Sequence, residues 1–361
     1  PGPPGIKFPI SISSKNQLEY KPDFPQVCER WEAFWQGGSD RPMLLGIQPK
    51  SGVTPIEKPR PYDCAFGDVD AIIDQALGWA ETHDFLADAI PSFMITFAPD
   101  HFAALLGGEI KRPDSGHSNW VKPCLTSLDD VTMTFQRDGY WWQRTRECIE
   151  KFRSRCDGKL IITATHLQGG LDCLAALLGT QEVLMELIAN PESVQRALRQ
   201  VEATMVEVRQ AFAEALDVKT WGSLNRFGMY SGGMIDVPQC DLSCMISRDM
   251  FDEFERPSLA RELESVDASV YHLDGLDALP HLESICSLAS LDVIQWMPGE
   301  GHYDDDHRAL NQRIDELGKG QIFQHYYKYT AQDILRVWDT FESRKLCFQV
   351  TPETLADLPW S

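Results

Sequence analysis

Residues 270–301 read VYHLDGLDALPHLESICSLASLDVIQWMPGEG. The stretch lies between two aliphatic runs, Ser269–His272 and Val293–Trp296, with the short amphipathic segment Leu276–Leu288 between them. A strand, a helix and a second strand within about thirty residues is the sequence form of a βαβ unit, whose crossover makes the two strands parallel. Working outward, the same alternation recurs. Aliphatic or β-branched runs stand at Met43–Ile47, Ser92–Phe97, Leu160–Thr165, Thr220–Leu224, Gln321–His325 and Leu346–Val350, separated by longer helical patterns. This predicts an α/β fold with a parallel sheet. Eight candidate strands point to a (β/α)8 TIM barrel, with an open doubly wound sheet as the competing architecture.

The segments between the runs carry helix signals. Gln181–Ala215 has apolar residues at helical spacing and is interrupted at Asn190–Pro191, which predicts two helices with Pro191 at the first position of the second. Ser247 is a good N-cap for a helix over Arg248–Val266, and Thr330–Phe341 is amphipathic. No repeat or low-complexity linker divides the chain. Residues 42–361 are therefore read as one barrel domain. Residues 1–41 are read as an N-terminal helical decoration packed on it, with tryptophans at Arg30–Trp35.

Composition narrows the function. A net charge of −21 repels phosphate backbones and anionic bilayers, which argues against nucleic acid and membrane partners. No apolar run reaches the roughly 18 residues of a spanning helix. The opening PGPPGIKFPISISSKNQ lacks the basic-then-apolar order of a signal peptide. Ten scattered cysteines with no CxxC pair read as reduced thiols of a cytoplasmic protein. The Cys240–x3–Cys244 spacing has no second cluster to complete a zinc finger, and the Asp304–Asp306 run reads as a solvated loop. The glycine pair of HLQGGLD fits a turn; no phosphate-binding glycine loop and no GxSxG elbow occurs.

Polar residues gather where a parallel barrel opens, at the carboxyl ends of its strands. Asp100 and His101 follow Phe97; His166 follows LIITAT, with Asp172 shortly after; His272 and Asp274 end SVYHLD. Gln295 and Trp296 end DVIQW, and His325 and Tyr326 end QIFQHY. Asp241 lies among apolar residues near another exit, where an acid needs a partner. His272 and Asp274 are two apart on an extended segment and so point to one side. They could share a divalent metal such as zinc, or act as a proton-transfer pair; alternatively, Asp274 caps the following helix.

Three stretches carry a family resemblance: THLQGGLDCLAALLGTQEVLMELIANPESV (165–194), QCDLSCMISRDMFDEFERPSL (239–259) and VYHLDGLDALPHLESICSLASLDVIQWMPGEG (270–301). RPMLLGI (41–47) and FAPDHFAALLG (97–107) fit the same outline. The chain resembles the uroporphyrinogen decarboxylase-like superfamily, on its cobamide-dependent methyltransferase side, and within that the branch called trimethylamine corrinoid protein 2. The resemblance implies a (β/α)8 barrel, a homodimer and a substrate cleft at the barrel mouth. Methyltransferases of this family hold zinc through a His-x-Cys pair and a later Cys. Here the pair is His272 and Asp274, with Asp in the Cys position, and Cys347 lies within a predicted strand. Family decarboxylases clamp substrate carboxylates with an arginine-rich N-terminal motif, where this chain offers only Arg30 and Arg41.

The expected function is transfer of a methyl group between a small methylated compound and a corrinoid protein or other acceptor. His272 and Asp274 would bind a metal or polarise the substrate. His166, Asp241, Asp100, His101, Gln295 and His325 would add polar contacts, and Trp296 and Tyr326 an aromatic wall for a cationic methylated amine. The alternatives are a metal-free lyase or decarboxylase acting on a small acid, and a non-catalytic barrel that only binds a small ligand.

Overall fold

The structure, a computed structural model, describes residues 16–112 and 118–360. The Pro-Gly-rich opening read above lies outside the described residues up to Lys15. Thirteen strands occur among the described residues: β1 Met43–Pro49, β2 His83–Ala87, β3 Ser92–Ile95, β4 Glu109–Lys111, β5 Trp120–Lys122, β6 Ile161–Ala164 and β7 Ser223–Leu224, then β8 Tyr230–Ser231, β9 Ile235–Asp236, β10 Ala268–Asp274, β11 Val293–Met297, β12 Gly320–Phe323 and β13 Leu346–Gln349. Seven form one mostly parallel sheet in the order β2-β1-β13-β12-β11-β10-β9, in which only β2 runs antiparallel. β3 pairs with β6 in parallel, and β4–β5 and β7–β8 are antiparallel pairs.

Side chains prolong the β1–β2 pairing and link the separate sheets where backbone ladders stop. Leu44 N–H donates to Asp88 Oδ2 at 2.9 Å, while Asp88 N–H donates to the Leu44 carbonyl. Thr163 Oγ1 donates to the Leu224 carbonyl at 2.7 Å and accepts from Leu224 N–H at 3.2 Å. Ser223 Oγ does the same between Gly233 and Ile235. With only two residues, β7 offers few ladder groups, and hydroxyls satisfy its buried neighbours instead.

Alternation along each strand sorts the core into two sides. Met43, Leu45, Ile161, Leu224, Ile235, Val270, Val293, Ile322 and Cys347 form one apolar cluster with the helix Phe24–Trp35. That helix begins with Pro25 in its first turn, and its Phe24, Val27, Cys28, Trp31 and Phe34 recur at helical spacing. Each fully buried aromatic contributes roughly 1.5–3 kcal/mol, so this helix is part of the core. The opposite parity, including Tyr271, Leu273, Ile294 and Trp296, packs against the outer helices.

Several expected boundaries move. The run Thr220–Leu224 starts as helix (Val218–Trp221) and becomes strand only at Ser223. Between them Gly222 has φ +70°, and a Cβ there would lie 2.4 Å from the Ser231 carbonyl and the Tyr230 hydroxyl. The expected split in 181–215 falls as read, at Thr180–Ala189 and Pro191–Leu216. The helix from Arg248, capped by Ser247, contains a π turn at Phe251–Glu255 before resuming at Arg256–Glu264. Pro257 lacks an N–H and cannot continue an α-helical ladder there, which accounts for the widened turn. Leu276–His281 is a 3-10 turn containing Pro280, followed by helix Leu282–Cys286.

Candidate active site

On β10, Val270, His272 and Asp274 share the inward parity; on β11, Val293 and Gln295 do, and register pairs His272 with Gln295. His272 Nδ1 is bonded to Gln295 Oε1. Gln295 Nε2 donates to Gln324 Oε1 at 2.7 Å and to the Trp296 carbonyl at 2.9 Å, so its oxygen is left to face the histidine. Nδ1 of His272 therefore carries the proton, and Nε2 faces Asp274 Oδ2 at 3.6 Å. Asp274 does not cap the next turn, whose N-cap is Gly275. Its carboxylate stays half-exposed beside the imidazole.

A second group joins this one. His166 Nε2 accepts from Arg226 at 3.2 Å, Arg226 donates to Gln239 Oε1 at 2.8 Å, and Gln239 Nε2 donates to Asp241 Oδ1 at 3.0 Å. Burial, then the charges of Arg226 and His272, hold His166 well below its ordinary value, so the ring is neutral and only orients the guanidinium. Asp172, 7% exposed, accepts Asp241 N–H at 2.7 Å, Leu242 N–H at 3.0 Å and Gln168 Nε2 at 2.9 Å. Burial, then the charge of Asp241, pushes its carboxyl up to about 7. Asp241 is itself raised, chiefly by burial. Asp241 is nonetheless accessible to solvent, because protein surrounds its sides while its face opens on a cleft.

That cleft, of about 430 Å³, is lined by Asp100, Asp172, Asp241, Gln168, Trp120 and Met245, among others. Asp100 Oδ2 accepts Val121 N–H at 2.8 Å, while its buried Oδ1 has no partner. Burial raises the Asp100 carboxyl. Trp120 is 45% exposed, an unusual state for so large an apolar side chain.

The glycine pair expected as a turn sits behind the cleft. Glu255, carried by the π turn, accepts Leu171 N–H at 2.8 Å at the start of the helix Gly170–Leu178. Gly170 has φ +53°, and a Cβ there would fall 2.3 Å from Glu255 Oε1, so glycine alone fits.

Not every expected residue reaches the site. His101 is 0% exposed, stacked on Phe97, accepts Phe97 N–H at Nδ1 and is bonded to Thr145 through Nε2; burial pushes it down to about 3. Both ring nitrogens are committed, so it is a structural residue. Trp296 has the outward parity, is 2% exposed and lies beside His307, so the aromatic wall is not built from it. Tyr326 donates to the Trp296 carbonyl at 2.6 Å and lies near Tyr303. His325 is exposed and bonded to Gln349. Arg226, Gln239, Gln168, Gln324 and Gln349 were not foreseen, although Gln295, Gln324 and Gln349 each stand two residues after an inward apolar residue (Val293, Ile322 and Cys347).

The donors do not fit a resident zinc site. Among the described residues no three His, Cys, Asp or Glu side chains are grouped to hold a metal ion. His272 and Asp274 offer two ligands where zinc takes three or four from protein. Cys347 is 0% exposed in the inner core, with its thiol pushed well up by burial. Arg30 and Arg41 do not form a substrate clamp either, since both bind the buried carboxylate of Asp88 at 2.7 Å. The Asp304–Asp306 carboxylates pair with Lys328, His302 and Arg308. Among the described residues no helix is long and apolar enough to cross a membrane.

No protein-family profile and no curated protein sequence matches the chain. Among solved structures it is similar to a methyltransferase from Methanosarcina mazei, with a TM-score of 0.59 and 11% identity over 91% of this chain and 94% of that one. At that identity the likeness is one of fold.

Proposed function

We propose that the chain is a uroporphyrinogen decarboxylase-like methyltransferase, built as a closed (β/α)8 barrel, that takes a methyl group from a small cationic methylated amine. The observation that carries the reading is the cleft lined by Asp100, Asp172 and Asp241 together with an exposed Trp120. Carboxylates and an indole face together recognise an alkylated ammonium, which gains Coulomb and cation–π attraction without needing hydrogen-bond acceptors in fixed directions. The shared fold with a methyltransferase supports the reaction class. In this arrangement Trp120 takes the part that sequence reasoning gave to Trp296.

Transfer breaks one N–CH3 bond and leaves the bonding pair on nitrogen. A corrinoid on a partner protein would supply the electron pair that takes up the methyl group. This chain's residues hold the ammonium against the Trp120 face and handle the proton that the released amine takes up. With its carboxyl at about 7, Asp172 can give that proton near neutral pH. His272 and Asp274, whose charges act on Asp241, would polarise the bound molecule.

The test is methyl transfer from a panel of quaternary and tertiary methylammonium compounds to reduced cobalamin, followed by its absorbance. Activity with at least one cationic donor, reduced about 10²–10⁴-fold in Asp172→Asn, is expected. If no donor reacts, and small carboxylic acids are decarboxylated instead, the lyase alternative replaces this reading.

A further inference from the structure

Arg226 is a half-buried guanidinium held only by neutral acceptors, His166 Nε2 and Gln239 Oε1, with its carbon 5.2 Å from the Phe227 ring centre. Among the described residues no carboxylate lies within ion-pair distance of it. Asp241 is the largest of the charges that act on it, ahead of Asp236, Tyr62 and Asp274, and Gln239 bridges the two, accepting from Arg226 at 2.8 Å and donating to Asp241 at 3.0 Å. The protein thus keeps one positive and one negative group a single amide apart without letting them neutralise each other. Taking a guanidinium partly out of water without an anion is costly, and a fork of N–H donors matches a carboxylate in two places. His166, 93% buried with Nδ1 unpartnered, supports the same point: it holds Arg226 in place as a neutral base and cannot take up the role of counter-ion.

We infer that the site takes a zwitterion, a small molecule with a methylated ammonium at the Trp120–Asp241 cleft and a carboxylate on Arg226. This rests on the cation-binding reading above and narrows its substrate class to betaine-like amino acids. Gln239 is the spacer that sets the separation of the two charges. His166 is a positioning residue that acts through Arg226.

The experiment is calorimetric titration of the full chain with three probes of similar shape: trimethylglycine (both charges), tetramethylammonium (cation only) and 3,3-dimethylbutanoate (carboxylate only). Trimethylglycine is expected to bind at least tenfold more tightly than either single-charge probe. In Arg226→Gln the ratio of the tetramethylammonium to the trimethylglycine dissociation constant should fall from at least ten to near one. In Arg226→Lys, which keeps the charge but loses the fork, it should lie between. Equal affinity of the wild-type protein for trimethylglycine and tetramethylammonium overturns the zwitterion while leaving the cation site intact. Binding of dimethylbutanoate alone overturns the cation reading and the zwitterion with it. A ratio that does not change in either Arg226 variant also overturns the assignment of the carboxylate to Arg226.

Discussion

Asp172 accepts three hydrogen bonds that favour its charged form, yet burial and the charge of Asp241 push its carboxyl from 3.8 up to about 7. The folded state therefore holds a proton that the unfolded state has lost between those values. Stability from this group is fully present at low pH and is lost as pH rises through about 7. Asparagine has no such proton, so Asp172→Asn should gain on the wild type by on the order of 1–3 kcal/mol between about pH 5 and about pH 8. Thermal melts of both proteins at the two pH values measure it; a constant difference would show that the carboxyl titrates normally. His101 gives the opposite sign. Its folded pKa of about 3 lies below its ordinary 6.5, so stability is lost as pH falls below the ordinary value. Sequence position put both residues near strand exits and both are buried; what separates them is the cleft. His101 is enclosed by Phe97 and Thr145, while Asp172 lines a cleft. Parity along a strand would have separated Trp296 from Gln295 in the same way, because neighbours on a strand face opposite sides.

Where the π turn Phe251–Glu255 meets the helix Gly170–Leu178, Glu255 packs against the backbone of Gly170 and Leu171. Gly170→Ala meets two obstacles, the positive φ and the carboxylate 2.3 Å from the new Cβ. The cost should be about 2–4 kcal/mol in the wild type and fall to about 1–2 kcal/mol in a Glu255→Ala background, where only the left-handed backbone penalty is left. Urea unfolding of the four proteins closes the cycle, and identical costs in both backgrounds would remove Glu255 from the account. At the other end of the strands, Asp88 ties Arg30 and Arg41 of the N-terminal segment to Leu44 of β1. Asp88→Asn leaves two guanidinium groups short of a buried partner and should cost about 3–5 kcal/mol in the same assay. The long elements were legible because their apolar runs are bounded by turn residues: β10, β11 and β13 stand within a residue or two of where the pattern puts them. β2, with no clean alternation, and β9, with two residues, carry too little pattern to be seen. The hydroxyl and carboxylate links at Thr163, Ser223 and Asp88 depend on partners distant in the chain.

The whole chain carries a net charge of −21, and its candidate cleft gathers Asp100, Asp172 and Asp241, with Asp241 and Asp274 acting on Arg226. A field of that sign draws cations toward the cleft, and salt weakens it over a screening length of about 8 Å at physiological ionic strength. Tetramethylammonium has one net charge and feels the full field. Trimethylglycine has none, so its two ends feel opposing forces and only the difference across a short molecule is screened. Raising sodium chloride from about 20 mM to about 300 mM should therefore weaken tetramethylammonium binding roughly two- to fivefold, and trimethylglycine binding by less than about twofold. Titration calorimetry at the two salt concentrations separates the cases. Equal salt sensitivity would mean that the carboxylate end stays in solvent, away from Arg226, and that only the ammonium enters the field. Weak sensitivity of the zwitterion would instead show both charges answered locally, by Asp241 and Arg226 on either side of Gln239.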